Sequence, residues 1–92
     1  MDKVLVEIYI PIIEKSFDAF IPRELSVAQV VSLLNEILFS LQIDYEITKQ
    51  DTVLCERETG IINDLNKAVY ETRIKNGSRL MLLQVGGCHG KY

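Results

Sequence analysis

Ninety-two residues, 48% hydrophobic and 25% charged, are enough for one globular domain with a single modest core. A formal charge of −3 supplies no general attraction to nucleic acid or to an anionic membrane surface. Nothing in the chain approaches the ~18 continuous apolar residues that a spanning helix requires, so direct membrane insertion is not expected.

Met1–Ile10 is no signal peptide: Glu7 interrupts its apolar residues, Pro11 ends them, and no small-residue cleavage site follows. A cytoplasmic, reducing setting is therefore expected, with Cys55 and Cys88 as free thiols rather than a disulfide. Charge is uneven: residues 1–46 hold eight acids and three bases, residues 47–92 five acids and seven bases. No basic run results.

Lys3–Ile10 alternates, with Val4, Val6, Ile8 and Ile10 on one face and Leu5, Glu7 and Tyr9 on the other. Pro11 stops regular pairing and Glu14-Lys15-Ser16 forms a polar turn. Phe17–Ile21 alternates again, Phe17, Ala19 and Ile21 against Asp18 and Phe20, which predicts an N-terminal hairpin. Pro22-Arg23-Glu24 leads into a helix over Leu25–Leu41. There Val27, Val30, Val31, Leu34, Ile37, Leu38 and Leu41 recur at steps of three and four and form one apolar stripe. Ser26 caps its start and Gln29 completes a capping box, with Leu25 and Val30 spaced as a hydrophobic staple. Residues 42–51 are mixed and polar and read as a loop or turn. Thr52–Arg57 is a short strand, ended by Glu58-Thr59-Gly60; Ile61-Ile62 is a very short one. Leu65–Arg73 is ambiguous, with room for one helical turn. Asn76-Gly77 is a strong turn signal before Arg79–Val85, the most apolar strand and hence an internal one. Gly86–Tyr92 is expected to be a mobile tail.

Hairpin, helix, short strands and an apolar last strand is the element order of the β-grasp, or ubiquitin-like, fold. The resemblance covers about residues 3 to 85. It implies an α+β domain, with a mixed sheet of four to five strands packed on one helix. Its most specific part is Val69–Leu83, which resembles ubiquitin's turn into its last strand. Phe17-Asp18-Ala19-Phe20-Ile21 and the helix after it are more similar to YukD-type proteins, bacterial ubiquitin-like proteins encoded with type VII secretion systems. That resemblance implies a non-enzymatic accessory of a membrane secretion apparatus.

No catalytic constellation is visible, and no cofactor is expected. His89 is the one histidine and sits in the tail, with nothing to orient it. Cys88-His89 supply two metal ligands where a structural zinc site needs four, so no metal site is expected. Cys55 reads as a small buried hydrophobe, and Asp64 and Glu71 as solvated surface. Gly86-Gly87 invites another reading. Ubiquitin and the sulfur carriers of thiamin and molybdopterin synthesis end in Gly-Gly, because only residues without side chains thread a narrow activating channel. Five residues follow here, so a modifier or carrier would first have to lose Cys88–Tyr92. The stronger functional expectation is a docking face. If the β-grasp arrangement holds, Leu5, Tyr9, Met81 and Leu83 point away from the helix on neighbouring strands, and Leu54 joins them. Such an apolar patch marks a protein-binding site; tail residues or a second copy in a homodimer are its alternative covers. Leu33 and Phe39 fall off the helix stripe, where loop residues Ile43 to Ile47 could lie over them.

Overall fold

The structure, a computed structural model, describes residues 2–41 and 52–84. Strand β1 spans Lys3–Ile10, and Pro11–Ile13 forms a 3-10 turn. Strand β2 is Lys15–Pro22, helix α1 is Val27–Ser40, and β3 is Thr52–Glu56. A second 3-10 turn covers Val69–Glu71, and β4 is Arg79–Gln84. The sheet runs β2-β1-β4-β3, with β1 parallel to β4 and both outer pairs antiparallel. One helix lies on this four-stranded mixed sheet, which is the β-grasp architecture. The last strand is internal, as its apolar sequence predicts.

The helix starts where its caps say. Ser26 Oγ accepts from the Gln29 amide at 3.1 Å, and Gln29 Oε1 accepts from the Ser26 amide at 2.9 Å. The next two free amides are also satisfied: Val27 N–H donates to Lys67 O and Ala28 N–H to Leu65 O. The ambiguous 65–73 stretch contains the one helical turn it had room for, the 3-10 turn at Val69–Glu71, and the backbone before it is engaged in closing the start of α1. Val27, Val30, Val31, Leu34 and Leu38 are buried. At 3.6 residues per turn they occupy an arc of about 100°. Two expected stripe members do not join them. Ile37 is 43% exposed, at the margin of that arc, and Leu41 is 59% exposed, beyond the last helical residue.

Below the helix the core is completed by Val4, Val6, Ile8 and Ile10 of β1, Ile21 of β2, Leu54 of β3 and Leu80 and Leu82 of β4. Val69 and Ile74, from the connection into β4, close one end. Asn35 Nδ2 donates to Thr52 Oγ1 at 3.1 Å and ties the helix to the head of β3. The β2 strand begins two residues earlier than predicted, because Glu14 turns the chain in a left-handed conformation (φ 55°) directly after the Pro11–Ile13 turn. Gly77, at φ 88°, provides the turn into β4. Asn76 Oδ1 accepts from Leu5 N–H and Gly77 N–H donates to Leu5 O, both at 2.8 Å. Glu7 N–H then donates to Ser78 O. The Asn76-Gly77 turn therefore does more than reverse the chain; it sets the parallel register of β4 on β1.

The loop predicted over 42–51 and the tail Gly86–Tyr92 lie outside the described residues, as do Val85, Cys88 and His89. Among the described residues, no helix is long and apolar enough to cross a membrane.

Candidate protein interface

The sheet face turned away from α1 carries the candidate site, and its layout follows from strand register. Leu5 stands opposite Phe20. Two residues along the strands, Asp18, Glu7 and Arg79 form the next row, with Arg57 beside it through the hydrogen bond its N–H donates to Arg79 O. The row after that is Tyr9, Met81 and Cys55, and Leu83 opposite Val53 follows.

The sequence-predicted patch is thus split and partly reassigned. Leu54 does not belong to it: the side chain is 0% exposed and pairs with Leu82 in the core. Thr52–Arg57 has three apolar residues in succession, so alternation alone could not set its phase; pairing with β4 did. Val53 and Cys55 take the outer positions instead. Leu5 is exposed (39%) but separated from Tyr9 and Met81 by a belt of charge. In that belt Arg79 Nε lies 3.4 Å from Glu7 Oε1, and its other guanidinium arm lies 2.7 Å from Glu58 Oε2. Arg57 stands 4.0 Å from Glu7 and 4.4 Å above the centre of the Tyr9 ring. Its guanidinium screens one side of Tyr9 and joins the charged belt to the apolar end. Two clusters result: a small one, Leu5 with the strongly exposed Phe20 (68%), and a larger half-buried one, Tyr9, Met81, Leu83 and Val53. A stacked arginine, a tyrosine and a methionine are side chains enriched at protein interfaces.

Cys55 faces this side but is closed off, 1% exposed and lying along the Ile61–Asn63 segment that borders β3. Its Sγ approaches Met81 O at 3.6 Å, and burial pushes the thiol pKa above its ordinary value. That is the environment of an inert core thiol rather than a nucleophile. Asp64 and Glu71 are exposed, as expected, and each also accepts a turn hydrogen bond. Asp64 Oδ1 accepts from Asn66 N–H and Glu71 Oε1 from Ala68 N–H, each at 2.9 Å. Among the described residues, no three His, Cys, Asp or Glu side chains are grouped as a metal site. The possible carrier residues Gly86 and Gly87 lie outside the described residues.

The fold is the β-grasp, or ubiquitin-like, fold. Within that fold class, similarity can be stated by structure. A chain of an ESX-5 inner membrane complex matches with a TM-score of 0.71 at 15% identity. The match covers all of this chain but 23% of that one, so the present chain spans about a quarter of it. The ubiquitin-like domain of the Mycobacterium tuberculosis type VII secretion protein EccD1 matches with a TM-score of 0.61 at 16% identity, over 90% of this chain and 99% of that one. A chain from a toluene 4-monooxygenase complex matches with a TM-score of 0.77 at 6% identity, over 91% of this chain and all of that one. At these identities the likeness is one of fold, and the same fold serves unrelated assemblies. No family model matches the sequence, and no curated protein matches it.

Proposed function

We propose that the protein is a non-enzymatic, ubiquitin-like protein-binding module that acts as an accessory of a bacterial, type VII-like secretion system on the cytoplasmic side. The observation that carries this reading is the sheet face turned away from α1, where Tyr9, Met81, Leu83 and Val53 form a half-buried apolar cluster beside the Glu7–Arg79–Glu58 belt. An apolar centre with a charged border is the arrangement of a docking surface. Support for the pathway comes from the fold's likeness to the EccD1 domain and to a chain of the ESX-5 membrane complex.

The test is capture of the tagged protein from detergent-solubilised membranes of its own host, with bound proteins identified by mass. Secretion-system membrane components are expected with the native chain and not with the Met81→Ser, Leu83→Ser variant. Equal recovery by both, or no secretion component with either, overturns the reading. The intact mass of the same preparation decides the alternative, a modifier or sulfur carrier: a species ending at Gly87 would support it, and one ending at Tyr92 would not.

A further inference from the structure

Helix α1 is almost without charge. In Val-Ala-Gln-Val-Val-Ser-Leu-Leu-Asn-Glu-Ile-Leu-Phe-Ser the one ionisable side chain is Glu36. The outward face of a helix that lies on a sheet is ordinarily its charged one. Here the exposed residues on the flank nearest β2 are Gln29, Leu33, Ile37 and Ser40. Leu33, Ile37 and Leu41 stand four residues apart and so form one row along the helix. Leu41 N–H donates to Ile37 O at 3.0 Å, which carries the row one residue past the last helical position. The three side chains remain 49%, 43% and 59% exposed.

Beside this row lies an apolar groove of about 140 Å³ between α1 and β2, lined in part by Ala19, Leu25, Leu33 and Ile37. Its sequence cause is Ala19. On the inner face of β2 that residue sits between Phe17 and Ile21, and its methyl group leaves room where its neighbours are large. An apolar cavity of about 150 Å³ holds a benzene ring, so a leucine side chain fits here. One face therefore presents both a row of protruding side chains and a hole that would receive one.

We propose that this face pairs with the same face of a second copy of the chain, about a two-fold axis perpendicular to α1 that passes between Leu33 and Ile37. Leu33 of each copy packs across Ile37 of the other and into the groove beside its Ala19. Rows spaced by four residues interdigitate in this way when two helices cross at about 50°. Charge selects the occupant. In a two-fold contact a surface meets itself, so every charge near the axis meets its own sign. The chain has a formal charge of −3, yet the Leu33–Ile37 flank carries none, and Glu36 points about 60–100° further round the helix. An uncharged face with a knob and a hole side by side is complementary to itself. The apolar area is small, below that of a standard interface, which sets the expected dissociation constant on the order of 10–100 µM. The outer sheet face stays free in such a dimer.

The test is sedimentation of the full chain from roughly 5 µM to 1 mM, with the mass expected to rise from one chain to two across that range. Leu33→Glu and Ile37→Lys are each expected to remain single chains throughout, with circular dichroism and melting temperature at low concentration as checks of folding. An equimolar mixture of those two variants should form a dimer again, because residue 33 of one copy meets residue 37 of the other. Met81→Ser with Leu83→Ser should associate as the native chain does. In a native sample that mixes two isotope labels, Leu33 and Ile37 methyl groups are expected to show contacts between chains. Four results overturn the proposal. The first is a single chain at 1 mM. The second is a dimer that Leu33→Glu leaves intact. The third is a dimer lost in the Met81→Ser, Leu83→Ser variant, which would put the second copy on the outer sheet face. The fourth is methyl contacts confined to one chain, as a cover by Ile43–Ile47 would give.

Discussion

At Cys55 a single side chain records how completely a strand position can be enclosed. The thiol sits on the nominally outer face yet is 1% exposed, and its pKa is raised by burial. With Cys88 replaced by Ser, a thiol reagent is expected to label the native protein slowly and the urea-unfolded protein fast; rapid native labelling would place β3 at the surface. The raised pKa also has a pH consequence. Below the ordinary thiol value of about 9 both states are protonated and the contribution of Cys55 to stability is complete. As pH rises, the unfolded chain ionises first and the contribution falls away. The stability difference between the native chain and Cys55→Ala should therefore be constant near neutrality and decline in alkali; an unchanged difference contradicts the burial. Gly77 gives the complementary case, a position decided by backbone alone. A Cβ there would meet nothing within 4 Å, but φ is +88°. Gly77→Ala is expected to cost about 1–2 kcal/mol in urea unfolding, from conformational strain without any clash. A loss near zero would mean that the turn can relax.

For α1 the question is which side chains its sheet-facing arc contains. Leu33 and Leu34 are adjacent in sequence and differ by about 100° around the helix, which sends Leu34 into the core and Leu33 to the groove beside β2. Leu34→Ala is expected to cost about 2–5 kcal/mol through lost burial and a residual cavity. Leu33→Ala should cost less than half as much. Similar losses in parallel urea melts would require the helix to be rotated. The capping box was readable because it depends on two residues three apart and on nothing elsewhere in the chain. The phase of β3 was not readable, because Thr-Val-Leu-Cys offers no alternation and only the register with β4 places Leu54 inside.

For the whole molecule the decisive comparison is between fold and face. Met81 and Leu83 are half-buried rather than open, so Met81→Ser with Leu83→Ser is expected to cost about 1–2 kcal/mol, more than a typical surface change. The variant should remain folded by circular dichroism while losing partner capture; unfolding would instead assign these side chains to the core. The sequence by itself determined the helix and its caps, the alternating first hairpin, the Asn76-Gly77 turn and the apolar last strand. Each of these is a local pattern, carried by residues within one or two turns or a few strand positions of each other. From those patterns the β-grasp order followed. Tertiary structure alone decided that Leu54 is core, that the Glu7–Arg79 belt separates Leu5 from Tyr9 and Met81, and that the Ile61–Asn63 segment lies along β3's outer edge. The physical reason is that cross-strand neighbours are set by register between segments up to about seventy residues apart, as Leu5 and Asn76 are. Single-strand periodicity reports which residues share a face, but not what stands beside them.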